Sequence, residues 1–312
     1  MSVVEKTVGV AVPRVKERRG PRFGGLGENW WRHVVGIVFT VWALFPVAYI
    51  ISAAFNADSS LSGASLIPRK VTFENFHKLF QSGAATKHIA SAADYPYWYK
   101  NTLIVAAATA FLTVMLGALA GYAFSRFRFK GRRIGMLALL LIQMFPQLLA
   151  VVAIYLIMFN LGGIFHVIGL NTLTGLIIVY LGGVMGINTW FLKGFFDTIP
   201  SELDESARVD GATPAQVFWG VVLPLAAPVL SVIALLSFIF TINEFVIASV
   251  LLQTSRQQTL PVGLYNFVAS TYAQSWGPFA AGVLLAAIPV VIFMMSLQKF
   301  IVGGLTQGSV KG

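Results

Sequence analysis

The stretch Thr102-Leu-Ile-Val-Ala-Ala-Ala-Thr-Ala-Phe-Leu-Thr-Val-Met-Leu-Gly-Ala-Leu-Ala-Gly-Tyr-Ala-Phe124 carries no charge, and Ser125-Arg-Phe-Arg-Phe-Lys-Gly-Arg-Arg133 follows it directly. A second uncharged run, Ile134 to Phe159, comes next. A bilayer core is crossed by about 20 apolar helical residues. A short basic loop between two such runs is retained on the cytoplasmic side. These residues therefore predict two transmembrane helices joined by a cytoplasmic turn.

Further uncharged runs lie at Val34 to Phe55, Leu173 to Leu192 and Gly277 to Gln298, and one from Val221 to about Leu252 is interrupted only by Asn243 and Glu244. The expectation is an all-α polytopic membrane protein with six transmembrane helices. An even number of spans puts both termini on one side. The N-terminal tail, the loop Ser125 to Arg133, the loop after Leu192 and the C-terminus hold 16 of the 22 Lys and Arg, so that side is the cytoplasm. The expected layout is a cytoplasmic tail over 1–33, a transmembrane domain over 34–302 and a cytoplasmic tail over 303–312. Within the domain, 56–100, 160–172 and 253–276 are extracytoplasmic, and 193–220 is a cytoplasmic loop. The first tail has Pro13 and Pro21 among its bases and no apolar stretch, so it does not read as a cleavable signal peptide.

Composition agrees with a lipid solvent: 57% of the residues are apolar, 11% charged, and the mean hydropathy is +0.77. There is no cysteine, and His33, His77, His88 and His166 are scattered, which leaves a metalloenzyme without ligands. The net charge of +10 sits in tails and short loops beside apolar runs, the pattern of membrane topology and not of nucleic-acid binding. No GxxxxGK[ST] loop occurs, so ATP hydrolysis by that route is not expected of this chain.

The loop Asp197-Thr-Ile-Pro-Ser-Glu-Leu-Asp-Glu-Ser-Ala-Arg-Val-Asp-Gly-Ala-Thr-Pro-Ala-Gln-Val-Phe-Trp-Gly220 holds five of the twelve acidic residues. Ser201 is a suitable N-cap, Glu202 and Asp204 suit a first turn, and Asp204 with Arg208 forms an i,i+4 pair. Gly211 suits a left-handed helix end. Thr213-Pro214-Ala215-Gln216 reads as a capping box with proline at the first helical position. The prediction is helix, glycine turn, helix, with the second helix entering the membrane and bending near Pro224 and Pro228. By local physics alone, a plain interfacial connector fits as well as a docking element.

Glu205-Ser-Ala207-Arg-Val-Asp210-Gly211-Ala212, followed by Phe218, Pro224 and Pro228, resembles the EAA signature of permease subunits in binding-protein-dependent ABC importers. Gln143-Met-Phe-Pro146, Tyr180-Leu-Gly-Gly183 and the ending Gly304 to Gly312 are similar to the MalG-type subunit of maltose importers. Ser206 departs from the pattern, which usually has a second alanine there. The resemblance implies the type I ABC importer permease fold with cytoplasmic coupling helices, in a bacterial or archaeal cell membrane. It implies no cofactor bound by this chain and no enzymatic activity. ATP and Mg belong to two copies of a partner ATPase, whose groove would receive Glu205, Ala207, Asp210, Gly211, Ala212 and Phe218. A second permease (MalF-like) and an extracytoplasmic sugar-binding protein complete the set, with maltose or maltodextrin, trehalose or another oligosaccharide as substrate.

A carboxylate inside a bilayer calls for a partner or water, so Asn243 and Glu244 are candidates for the pathway or gate, or else a hydrated pair at the outer interface. Gln143 and Gln147, one turn apart on one helical face around Pro146, are candidates for the pathway or for interhelical hydrogen bonds. Gly182, Gly183 and Gly186 read as close-packing positions. By the resemblance, the last outer loop reaches the binding protein or the sugar through Tyr265, Asn266, Tyr272 and Trp276. A secondary transporter working without an ATPase is the competing reading, against which stand the lack of a visible repeat and of charged midplane groups other than Glu244.

Overall fold

The structure is a computed structural model and describes residues 30–57, 67–68, 70–80, 94–269 and 274–307. In chain order its helices are α1 (Trp30–Phe55), α2 (Glu74–Lys78), α3 (Tyr95–Arg126), α4 (Arg132–Gln143), α5 (Gln147–Ile164), α6 (Leu173–Phe196), α7 (Ser201–Val209) and α8 (Pro214–Val217). A π-helical turn over Phe218–Val222 leads into α9 (Leu223–Leu225), followed by α10 (Ala227–Asn243), α11 (Val246–Leu251), α12 (Leu260–Tyr265) and α13 (Trp276–Gln307). Among the described residues there is no strand, only an isolated antiparallel bridge between Asn56 and Val71.

Four helices are long and apolar enough to cross a membrane: α1, α3, α6 and α13 up to Phe300. Two bent pairs raise the number to six if each is one span: α4 with α5, bent by 104°, and Pro214–Leu225 with α10, bent by 76°. The single third span expected over Ile134 to Phe159 is thus two helices. Pro146 has no N–H to continue α4 and disfavours a helical Phe145 before it. Met144 and Phe145 close α4 with i→i−3 bonds, and Pro146 is extended at the start of α5. The fifth span is likewise interrupted: α10 stops at Asn243, Glu244 is extended, and α11 starts at Val246. At the C-terminal end, α13 runs to Gln307, past the expected tail boundary at 303, and residues 308–312 lie outside the described residues.

The chain divides into two compact units at Val47. The first contributes α1 up to that residue, an apolar helix exposed along its whole length and suited to lipid. In the second, α3 is the central helix and packs on α6 and α10, with α13 against α10. Small residues permit the closest approach. A Cβ on Gly121 would stand 3.0 Å from Leu192 Cβ and from the Lys193 nitrogen, so α3 and α6 touch there almost backbone to backbone. One apolar cluster, with Tyr122, Leu192, Phe196, Val217, Phe218 and Val222, sits at the end carrying the loop 197–220. A second, with Tyr95, Trp98, Leu260, Leu264 and Phe267, sits at the opposite end of α3.

Candidate functional site

The loop 197–220 forms the helix, glycine turn and helix read from its sequence. Helix α7 ends where Gly211 adopts φ +89°, a left-handed conformation natural to glycine. The Ala212 nitrogen donates back to the Ala207 carbonyl at 2.9 Å, satisfying the helix end. Thr213 and Gln216 make the capping box, with Pro214 at the first turn of α8.

Two local expectations are corrected. Ser201 is not the cap: Pro200 holds the N-cap position, and Ser201 is the first helical residue. Nor does Asp204 pair with Arg208. It turns inward, where Arg126 Nε at the end of α3 lies 2.6 Å from its Oδ2. A long-range charge beside a buried carboxylate outweighs an exposed i,i+4 pair, which is worth only a few tenths of a kcal/mol. Arg126 also donates from Nη2 to the Ile199 carbonyl at 2.9 Å. A second tie lies alongside: Ser125 Oγ donates to Asp197 at 2.7 Å, and Lys193 pairs with the same carboxylate. Burial pushes the Asp197 carboxyl up, but hydrogen bonds from Lys193 and Ser125 and the charges of Lys193 and Arg132 outweigh it, so its pKa falls below the ordinary 3.8.

These ties decide which coupling candidates face outward. Phe218 is 3% exposed and packs on Tyr122 with ring centroids 5.0 Å apart; Ala207 and Ala212 pack on the same cluster. They support the loop from within, whereas Glu205, Asp210 and Gly211 are exposed. Val209, 88% exposed and one turn after Glu205, shares its side of α7, and Leu203 is also exposed. The sequence reading missed both, although an apolar residue flanked by charges on a short amphipathic helix was the signal. It also read Arg126 only as a marker of topology.

Gln143 ends α4 and Gln147 begins α5, so the two do not share one helical face; the side chain of Gln147 lies outside the described residues. Gln143 lines a cavity of about 950 Å³ with Met144, Phe145, Pro146, Gly182 and Gly183. Of the three glycines read as packing positions, Gly186 is one: a Cβ there would meet the Leu139 carbonyl at 2.8 Å. Gly182 has open space around its Cβ position and borders the cavity instead.

Glu244 has partners. Its Oε1 accepts from the Ile247 nitrogen at 2.8 Å, its Oε2 from the Ala248 nitrogen at 3.1 Å, and the Tyr180 hydroxyl of α6 donates to Oε2. The carboxylate therefore caps α11 and fastens it to α6. Asn243 is exposed and donates to the Ile239 carbonyl of its own helix at 2.8 Å.

The loop between α11 and α12 is built onto the start of α3. Trp98 Nε1 donates to the Ser255 carbonyl at 2.7 Å, and Asn101 Nδ2 to the carbonyls of Arg256 and Gln258 at 2.9 and 3.0 Å. Asn171 Oδ1 accepts from the nitrogens of Gln253 and Thr254 at 2.7 and 2.8 Å. Tyr265 is half exposed with its ring on Phe245; Asn266 donates to Gln258; Trp276 opens α13 and donates to Gln274. These three are not gathered at one point by any contact among the described residues, and Tyr272 lies outside them.

Residues 113–307 match the model of the family described as binding-protein-dependent transport system inner membrane component. The chain belongs to this family. Among curated relatives, it is 39% identical over 289 residues to the maltose/maltodextrin transport system permease protein MalG of Vibrio vulnificus (strain YJ016), covering 91% of this chain and 96% of that one. It is 38% identical over 269 residues to the galactooligosaccharides transport system permease protein GanQ of Bacillus subtilis (strain 168), covering 86% and 90%. Among solved structures, it resembles a chain of a bacterial ABC transporter involved in import of the acidic polysaccharide alginate. That match has a TM-score of 0.71 at 23% identity and covers 89% of this chain and 99% of that chain. At this identity the likeness establishes the fold, that of an ABC importer permease. The family is one of inner-membrane permeases, and the relatives named here are transport subunits, none of them a secondary transporter.

Proposed function

We propose that this permease forms half of the translocation pathway of an ATP-driven sugar importer and couples to a separate ATPase through α7 and α8. The observation that carries the reading is the outward face of Glu205, Val209 and Asp210 on a helix whose inward Asp204 is held by Arg126 of a transmembrane helix. A force on that face passes to α3 through a buried ion pair and not through a loose loop. The partners of the reading are two ATPase subunits that hold ATP and Mg, a second permease (MalF-like) and an extracytoplasmic sugar-binding protein. Both termini lie in the cytoplasm of a bacterial or archaeal cell, on the asymmetry of Lys and Arg. Maltose or maltodextrin, or another oligosaccharide, is the substrate class supported by the MalG and GanQ relatives.

The test is to purify the tagged chain from its native membrane in mild detergent, identify what accompanies it, and repeat with Glu205→Trp and Val209→Asp. Both positions are exposed, so neither change disturbs the core. Copurification of an ATPase and a second permease with the wild type, with loss of the ATPase alone in the variants, supports the reading. An ATPase retained by both variants removes α7 as the dock, and a chain that purifies alone removes the coupling claim.

A further inference from the structure

Helices α4 and α6 meet where Gly186 lies under the Leu139 carbonyl. One and two turns further on, toward the basic end of both helices, a cavity of about 910 Å³ opens between them. It is lined by the bases Arg132, Arg133 and Lys193 and by the apolar side chains of Ile134, Met136, Leu137, Leu140 and Trp190. We propose that this cavity is a binding site for one anionic phospholipid of the cytoplasmic leaflet, with the phosphate at the arginines and an acyl chain along the apolar wall.

The charge balance supports an anion. Among the described residues no acidic residue lines the cavity, and Asp197, which meets two of its bases, is engaged by Lys193 and Ser125, with the charge of Arg132 also acting on it. Arg133 is exposed and makes no ion pair among the described residues. Arg132 reaches the Ser125 carbonyl through one Nη2 contact at 3.4 Å, which leaves most of its donors free for phosphate oxygens. One carboxylate against three cations leaves an excess of two positive charges. The apolar wall argues for a lipid over a soluble phosphate: Ile134 is 74% exposed and Leu137 54%, within a turn or so of the basic residues. Trp190 stands there with its ring half exposed, as interfacial tryptophans do. Basic clefts between transmembrane helices at the cytoplasmic face are suited to this class of ligand.

The experiment uses the full-length chain with whatever subunits accompany it, titrated with phosphatidylglycerol or phosphatidylcholine in detergent and read by native mass spectrometry. The wild type is expected to bind one phosphatidylglycerol tightly and phosphatidylcholine no better than background. In the double variant Arg132→Gln/Arg133→Gln, affinity is expected to fall roughly thirtyfold, from about fivefold per surface charge removed. Arg132→Lys/Arg133→Lys is expected to retain most of it, and Arg128→Gln/Lys130→Gln, in the same loop but outside the cavity, all of it. Equal loss in both glutamine variants would reduce the effect to general surface charge and overturn the site. Displacement by glycerol phosphate would reassign it to a soluble phosphate. A photo-crosslinking residue in place of Leu137 gives an independent readout in native membranes: adducts to phospholipid support the proposal, and adducts to another protein chain overturn it.

Discussion

Arg126 Nε stands 2.6 Å from Asp204 Oδ2, with the two side chains only 11% and 4% exposed, so a transmembrane helix and a short surface helix are joined by a nearly buried ion pair. Removing one member of such a pair strands the other charge, at a cost of about 3–5 kcal/mol. Asp204→Ala and Arg126→Ala are each expected to lower the thermal unfolding midpoint of the purified protein sharply. Arg126→Met/Asp204→Leu, which removes both charges and keeps the volume, is expected to recover most of the loss. A double variant no more stable than the singles would show that the pair is not what holds α7.

Glu244 fastens α11 through the nitrogens of Ile247 and Ala248 and reaches α6 through the Tyr180 hydroxyl. Glu244→Ala deletes a cap and three hydrogen bonds, for an expected loss of about 2–3 kcal/mol. Tyr180→Phe deletes one bond and is expected to cost about 1 kcal/mol, the hydroxyl alone being lost. Denaturation of the two variants in detergent, compared with wild type, checks the order. If Tyr180→Phe costs as much as Glu244→Ala, the capping role of the carboxylate is wrong.

A Cβ on Gly263 would lie 2.1 Å from the Trp98 ring, which is itself fully buried. Gly263→Ala must therefore push α12 away from α3 and loosen the loop between α11 and α12, at a cost of about 1–3 kcal/mol. Trypsin cleavage after Arg256, in that loop, is expected to quicken in Gly263→Ala. A companion Trp98→Phe, which makes room, is expected to restore part of the protection.

The Asp197 carboxyl titrates below its ordinary 3.8 because Lys193, Ser125 and Arg132 favour its charged form against burial. A carboxyl with a depressed folded pKa contributes stability that is complete above the unfolded value and is lost as pH falls through the folded one. Wild-type stability should thus drop below about pH 4, a drop that Asp197→Asn removes in part while lowering stability at pH 7. Thermal unfolding across pH 3 to 7 for the two proteins measures it. Parallel curves would mean that the local ties contribute nothing.

Pattern and place separate along the chain. Uncharged runs of bilayer length and the sequence Gly211 to Gln216 determined the helical membrane class, the places of its apolar helices and the helix, glycine turn and helix. Each rests on transfer energy or backbone preference within a few residues of itself, and so was legible without any neighbour. The break at Pro146 was half legible: proline announces a weakness in a helix, but whether it bends slightly or turns by 104° depends on what packs around it.

Contacts between distant segments decided the rest. Arg126 meets Asp204 across 78 residues and Tyr180 meets Glu244 across 64, and nothing in local spacing connects them. The same dependence governs which side chains of the loop 197–220 are exposed: Phe218 and Ala207 pack inward, whereas Val209 is left in solvent. A sequence determines how each segment meets water or lipid; only tertiary structure decides which buried charge finds which partner. A desolvated charge has strong energetic reason to be paired, but its partner is selected by where the helices bring their ends together.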